Sequence, residues 1–272
     1  MNTHTNDNAV KSLPVFQILK NSFRLPFENA ALILRLGWPY LLVSMLITVL
    51  SVTNENGFLN FFSFILMTAA SVLAGVACHR IFLCPKDEVT QLSTFRWGKS
   101  EADFFVAGLK LTFALIVGTI LAVGLGALVT NIASIELPTT EYLGFNVLVW
   151  AGIFVFGYVF SRISFILPGA AVGRYFNFNT SWAATKPYAL PLYFVVFLVP
   201  MALTTIFTTL LSVLEGSALT PLGYELLIAL VSLVGAVIEL CILSKSFEWV
   251  TNQMPEERAE LAVDEQGSNQ AE

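Results

Sequence analysis

The chain has 272 residues, of which 56% are hydrophobic and only 12% charged, with a mean hydropathy of +0.74. A water-soluble domain carries roughly 25% charged residues, so this composition excludes a soluble globular fold and predicts an all-α, polytopic helical membrane protein. The formal net charge of −5 comes from residues 255–272, which hold six acids and one base; the other 254 residues carry 13 of each, which excludes a nucleic-acid-binding surface.

Residues 1–30 form a predicted cytoplasmic amphipathic segment. Nothing in them has the short apolar core and small-residue cleavage site of a secretory signal, so the first long apolar run is expected to act as an uncleaved signal-anchor. His4 falls in the polar terminus. In "SLPVFQILKNSFRLPFENA", Leu13, Phe16, Leu19, Phe23 and Phe27 recur at steps of three and four, with Lys11, Gln17, Lys20, Asn21 and Arg24 on the other side. This predicts a basic amphipathic helix in the inner leaflet, capped by Ser12 and ended by Pro26.

Residues 31–250 form a predicted six-helix transmembrane domain. Six apolar runs, at 36–53, 58–82, 104–132, 143–165, 189–213 and 222–244, each approach or exceed the ~20 residues that span ~30 Å of hydrocarbon. The connections "TNEN", "SIELPTTEY" and "EGSALTPLGYE" contain Glu55, Glu136, Glu141, Glu215 and Glu225 and no Lys or Arg. All the basic residues lie toward the opposite ends of the spans, so the positive-inside rule places both termini in the cytoplasm. Trp38, Trp97, Trp182 and Trp249 fall at the same boundary, as interfacial anchors do.

Two further basic-aromatic segments precede spans at that boundary. "CPKDEVTQLSTFRWGKSEADFF" carries Arg96, Trp97 and Lys99, and "RYFNFNTSWAATKPYALPL" carries Arg174, Trp182 and Lys186. Segment plus hairpin, three times over, predicts a weak repeat of about 70–85 residues. Between Arg162 and Arg174, Pro168 and Gly169 break the chain; the segment is too short for another crossing and is expected to lie as an elbow along the inner interface. Residues 251–272 lack aromatics and periodicity, and are expected to be a disordered acidic cytoplasmic tail.

No constellation for catalysis, and none for a cofactor, is legible. In "CHRIFLC", Cys78 and Cys84 are six apart and His79 is the one nitrogen ligand nearby, which is not a zinc pattern. Cys78, Cys84 and Cys241 are therefore expected to be small apolar side chains. His79 and Arg80 are expected to end the second span at the phosphate level. "GTILAVGLG" is expected to serve close helix packing. Lys110, Arg162 and Glu239 are ionisable residues inside or nearly inside spans, and so functional candidates. Glu239 is expected to meet Arg162 or Arg80 as an interhelical ion pair; a proton- or cation-handling role and a protonated lipid-facing state are the alternatives. With His79 and Arg80, these residues form the candidate polar cluster.

The strings "VACHRIFL", "FRWGKSEADFF" and "SRISFILPGAAVGRYFNFNTSWAATK" resemble signature stretches of a family of six-span inner-membrane proteins of alphaproteobacteria. The matching residues are His79, Arg80, Arg96, Gly98, Lys99, Glu101, Arg162, Ser164, Leu167, Pro168, Ser181, Trp182, Thr185 and Lys186. The chain departs from the pattern at Cys78, where an aromatic is usual. The wider layout is similar to the membrane domain found beside glycerophosphodiester phosphodiesterases, whose catalytic domain is not in this sequence. The resemblance implies a fold and no activity.

Two functions compete. The first is a non-enzymatic protein that organises anionic lipids or membrane-protein partners at the cytoplasmic leaflet through its basic-aromatic segments. The second is a small-solute or lipid transporter using Glu239 and Arg162 inside the bundle. A cavity that reaches the midplane and is lined by Glu239, Lys110 or the Thr-rich "TTIFTTLLS" favours the second, and a dry packed bundle the first.

Overall fold

A computed structural model describes residues 12–53, 57–95, 97–133, 147–174, 176–214 and 220–254. Arg96, Lys11, the tail 255–272 and most of the acidic connections lie outside the described residues. Within them the chain is helical with no strand, and six helices are long and apolar enough to cross a membrane. The protein is an integral membrane protein.

The first span is α2 (Ala30–Thr53), which pairs with α3 (Gly57–Leu83); α5 (Lys99–Ala133) pairs with α6 (Val147–Ile163). At 35 residues, α5 is about 50 Å long, well beyond the ~30 Å of hydrocarbon. The fifth span is composite. It runs from α8 (Phe178–Thr185) through a 3₁₀ turn and α9 (Ala189–Tyr193) into a π-helical turn at Phe194–Leu198 and α10 (Val199–Leu214). Then α11 (Pro221–Thr251) returns, with Thr220 Oγ1 accepting from the Gly223 N–H as its N-cap. In "GTILAVGLG", Gly118 leaves room for the Phe156 ring of α6, whereas a Cβ on Gly124 would meet open space.

Short helices gather at one end, where α3, α6 and α11 finish: α1 (Val15–Glu28), α4 (Lys86–Thr90), α7 (Ile166–Ala171) and α8. The face that α1 turns toward the bundle is the aliphatic one. Leu13, Ile18, Ser22 and Pro26 are buried, with Leu13 and Ile18 packed beside Phe247 and Val250 of α11, whereas Phe16, Phe23 and Phe27 are exposed. The helix has two apolar stripes, and the narrower aliphatic one fits the bundle. Pro26 sits inside the last turn of α1 rather than ending it, and no Ser12 cap forms, Pro14 being the N-cap residue.

The expected interfacial elbow is also corrected. The chain turns at Ser164–Phe165, ahead of Pro168, and α7 is buried against α3, α5 and α11. It ends in a Schellman motif: the Arg174 N–H donates to Gly169 O (2.9 Å), the Gly173 N–H donates to Ala170 O (3.2 Å), and Gly173 adopts φ +70°. A Cβ on Gly169 would lie 2.8 Å from Phe176 Cβ and 3.3 Å from the Arg174 carbonyl oxygen, groups that the motif holds in place. Gly169→Ala is therefore expected to destabilise the purified protein by ~1–3 kcal/mol, read as a lower midpoint in thermal unfolding, whereas Gly108→Ala, with open space around the new methyl, is expected to leave the midpoint unchanged or raise it.

Candidate functional site: two polar clasps and a cavity in the bundle

Arg162, the last basic residue of α6, is 3% exposed. Its Nε–H donates to Thr185 Oγ1 (2.8 Å), one NH₂ group to Tyr158 Oη (3.3 Å) and the other to the Trp182 carbonyl. The guanidinium carbon also lies 4.0 Å from the centroid of the Trp182 ring. In return Ser181 Oγ donates to the Arg162 carbonyl (2.6 Å), and Thr185 Oγ1 donates to Ser181 O (2.7 Å). Ser181, Trp182 and Thr185 of α8 thus clasp the end of α6. Carbonyl oxygens, hydroxyls and ring faces take the place of a carboxylate around this cation.

A second clasp joins α3 to α5. Arg80 donates through Nε to Ala171 O (2.9 Å) and through Nη1 to Glu101 Oε1 (3.3 Å). The other Glu101 oxygen accepts the Gly98 N–H at 2.9 Å, the return half of a capping box at the start of α5. His79 is wholly buried, and α3 runs on past His79 and Arg80 to Leu83 rather than ending with them. The His79 Nδ1 is 2.8 Å from Ser244 Oγ, and Ser244 Oγ donates to Leu240 O (2.7 Å). The His79–Ser244 contact ties the end of α3 to α11 through a buried side-chain hydrogen bond.

Glu239 pairs with neither Arg80 nor Arg162. Its Oε1 accepts from Thr204 Oγ1 of α10 (3.3 Å), and no ion pair among the described residues includes it. The reason is rotation. Five residues along α11 turn a side chain by about 140°, so with Ser244 committed to α3, Glu239 faces α10. Lys110 is exposed on α5; Lys99, Arg174 and Lys186 are exposed at the basic end, as are Trp97 and Trp182. The structure therefore brings Arg162, Trp182 and their partners into one cluster and His79 and Arg80 into another, and leaves Lys110 and Glu239 apart from both.

Two cavities flank α3. One, of about 390 Å³, lies at the basic end and is lined by Arg80, Cys84, Glu88, Lys99 and Glu101 over an apolar floor. Burial pushes the Cys84 thiol up from its ordinary value; Glu88 adds to this, and the Arg80 and Arg174 guanidiniums oppose it. Cys84 is thus held as a thiol rather than a nucleophilic thiolate. The other, of about 470 Å³, lies between α3, α10 and α11, with Tyr40 of α2 and Phe104 of α5 also lining it, and it is half-open where Ser71 and Thr204 are exposed. Its wall is apolar except for Glu239, Thr204, Tyr40, Ser71 and Cys78. The expected sequence signals for it, Glu239 and the Thr-rich run, were present; the aromatic wall was not legible before the packing was known. No group of three or more potential metal ligands occurs among the described residues.

Fold and site define a class, a six-span helical membrane protein with a half-open cavity between its helices. No protein-family model, curated protein or solved structure matches the chain.

Because Arg162 spends its donors in several directions, Arg162→Lys is expected to destabilise the protein by ~1–3 kcal/mol. Glu239→Gln retains an acceptor for Thr204 and is expected to stay within ~0.5 kcal/mol of wild type. Thermal unfolding of both in the same detergent checks this; equal losses would show that Glu239 is structural after all.

Proposed function

We propose that this is a non-enzymatic bacterial inner-membrane protein, with both termini in the cytoplasm, that binds a membrane amphiphile in the bundle cavity as a permease or carrier does. The observation that carries this is the 470 Å³ cavity, whose wall joins apolar and aromatic side chains to one carboxylate. Ligand sites in general have such walls, with few polar groups fixing orientation, and volumes of roughly 300–1,000 Å³. The π-helical turn supports the reading. Val199 N–H reaches back to Phe194 O, and Pro200 has no N–H for the carbonyl one α-turn earlier. Val196, Phe197 and Pro200 all line the cavity; π-turns inside α-helices frequently fall at functional sites.

A second reading concerns the basic end. Exposed Phe16, Phe23 and Phe27 share α1 with exposed Lys20 and Arg24, and exposed Trp97 and Trp182 stand beside Lys99 and Lys186 in sequence. A collar of this chemistry favours anionic lipid by about 1 kcal/mol per basic group, which supports lipid organisation at that leaflet as a companion role.

For the cavity, mass spectrometry of lipid extracts from re-isolated protein is expected to find amphiphile retained at close to one per chain. Ala74→Phe, which fills the cavity from α3, is expected to retain several-fold less with an unchanged melting temperature; equal retention by a folded Ala74→Phe variant would discard the reading. For the collar, Lys20→Gln with Arg24→Gln is expected to weaken the preference for anionic over zwitterionic lipid in mixed nanodiscs, and an unaltered preference counts against that role.

A further inference from the structure

The cavity wall specifies a charge as well as a shape. Glu239 is the one Asp, Glu, Lys, Arg or His side chain among its lining residues. Thr204 engages Oε1 only, so the second carboxylate oxygen is available to a ligand. Four rings line the same space from four elements: Tyr40 from α2, Phe104 from α5, Phe160 from α6 and Phe197 from the π-helical turn. Two glycines let two of these rings approach. Gly75 meets Phe104 and Gly157 meets Phe197 so closely that a Cβ would fall 2.9 Å and 2.2 Å from ring carbons.

A carboxylate and aromatic faces share one preference. The carboxylate attracts positive charge through the low-dielectric interior, and each ring face attracts it through the quadrupole; aromatic cages that bind quaternary ammonium groups work this way. The same wall repels a fatty-acid or phosphate head, since no basic side chain faces it.

We infer that the ligand is a cationic amphiphile with an ammonium-type head, held by Glu239 among the Tyr40, Phe104, Phe160 and Phe197 rings. This rests on the cavity being a binding site, as proposed above, and adds the class of ligand. A trimethylammonium head satisfies both components of the wall without needing a hydrogen-bond acceptor. The apolar tail lies against the aliphatic remainder of the lining, where Leu233, Val237 and Leu240 of α11 are found.

The test uses the full-length protein in nanodiscs of zwitterionic phospholipid, with empty nanodiscs measured in parallel to subtract partitioning. Radiolabelled decyltrimethylammonium, decanol and decanoate serve as probes of matched tail. Wild type is expected to bind decyltrimethylammonium about 10-fold more tightly than decanol, and decanoate most weakly. Glu239→Gln, which keeps volume and an acceptor, is expected to remove that advantage while leaving decanol binding unchanged. If decanol or decanoate binds as tightly as the cation, or Glu239→Gln leaves the cation's affinity unaltered, the cationic class is overturned while the cavity reading stands. If a folded Ala74→Phe variant binds all three probes as wild type does, the cavity itself is not the site and both readings fall.

Discussion

The Arg162 guanidinium fixes more of this structure than any other group. A cation 3% exposed is costly unless its hydrogens are met, and here α8 meets them with a hydroxyl, a carbonyl and an indole face. Because Arg162 sits one residue before the end of α6, holding it against α8 also sets where α6 stops. The turn at Ser164–Phe165 follows, and from it α7 is directed inward between α3, α5 and α11. Leu167 of α7 and Phe160 of α6 then become part of the cavity wall. The cavity's inner boundary is thus a consequence of how one arginine is satisfied.

The same demand explains the rest of the basic end. Backbone and side-chain polar groups near lipid need partners within the protein, and several element ends at the basic end find one on a neighbour. Arg80 of α3 reaches Glu101 of α5 and the last carbonyl of α7; Arg35 of α2 donates to the Thr90 carbonyl of α4 (3.0 Å); Lys245 of α11 donates to the Phe82 carbonyl near the end of α3 (2.8 Å). Most of these are cations serving helix C-terminal carbonyls, the end that the helix dipole makes negative. The positive charges concentrated at this boundary are therefore partly structural, and the exposed remainder, such as Lys20, Lys99, Arg174 and Lys186, is what faces the surroundings.

The spans, the all-helical class and the gathering of basic residues were legible because each depends on composition along the chain. Arg162 meets Ser181, Trp182 and Thr185, and Arg80 meets Glu101, but nothing in the strings that carry these residues said that they touch. Which charge would meet which was not legible. Charge neutrality alone joins Glu239 to an arginine, but it omits that carbonyls and ring faces also satisfy guanidinium, and that Glu101 is drawn to Arg80 and the Gly98 N–H at the start of α5. In α1, periodicity reveals apolar stripes without saying which one a neighbour takes; Leu13 and Ile18 fit α11 and the phenylalanines are left outside. Pro168 and Gly169 marked a break whose actual position, at Ser164–Phe165, was set by the Arg162 clasp.

The two walls of the cavity differ in mechanical character. On one side α3 and α11 are continuous helices joined by the His79–Ser244 hydrogen bond and by Lys245 on Phe82. On the other, the fourth span is interrupted between α6 and α7, and the fifth passes through the π-helical turn into Pro200. Irregular backbone at membrane depth persists only where protein or a cavity borders it, and Phe160, Leu167, Val196, Phe197 and Pro200 from these interruptions do line the cavity. A helix lacking part of its hydrogen-bond ladder bends at lower cost than an intact one. The compliant wall therefore carries Thr204 and the Phe160 and Phe197 rings, and the stiff wall carries Glu239. Thr204 and Glu239 thus join the two walls through one hydrogen bond of 3.3 Å.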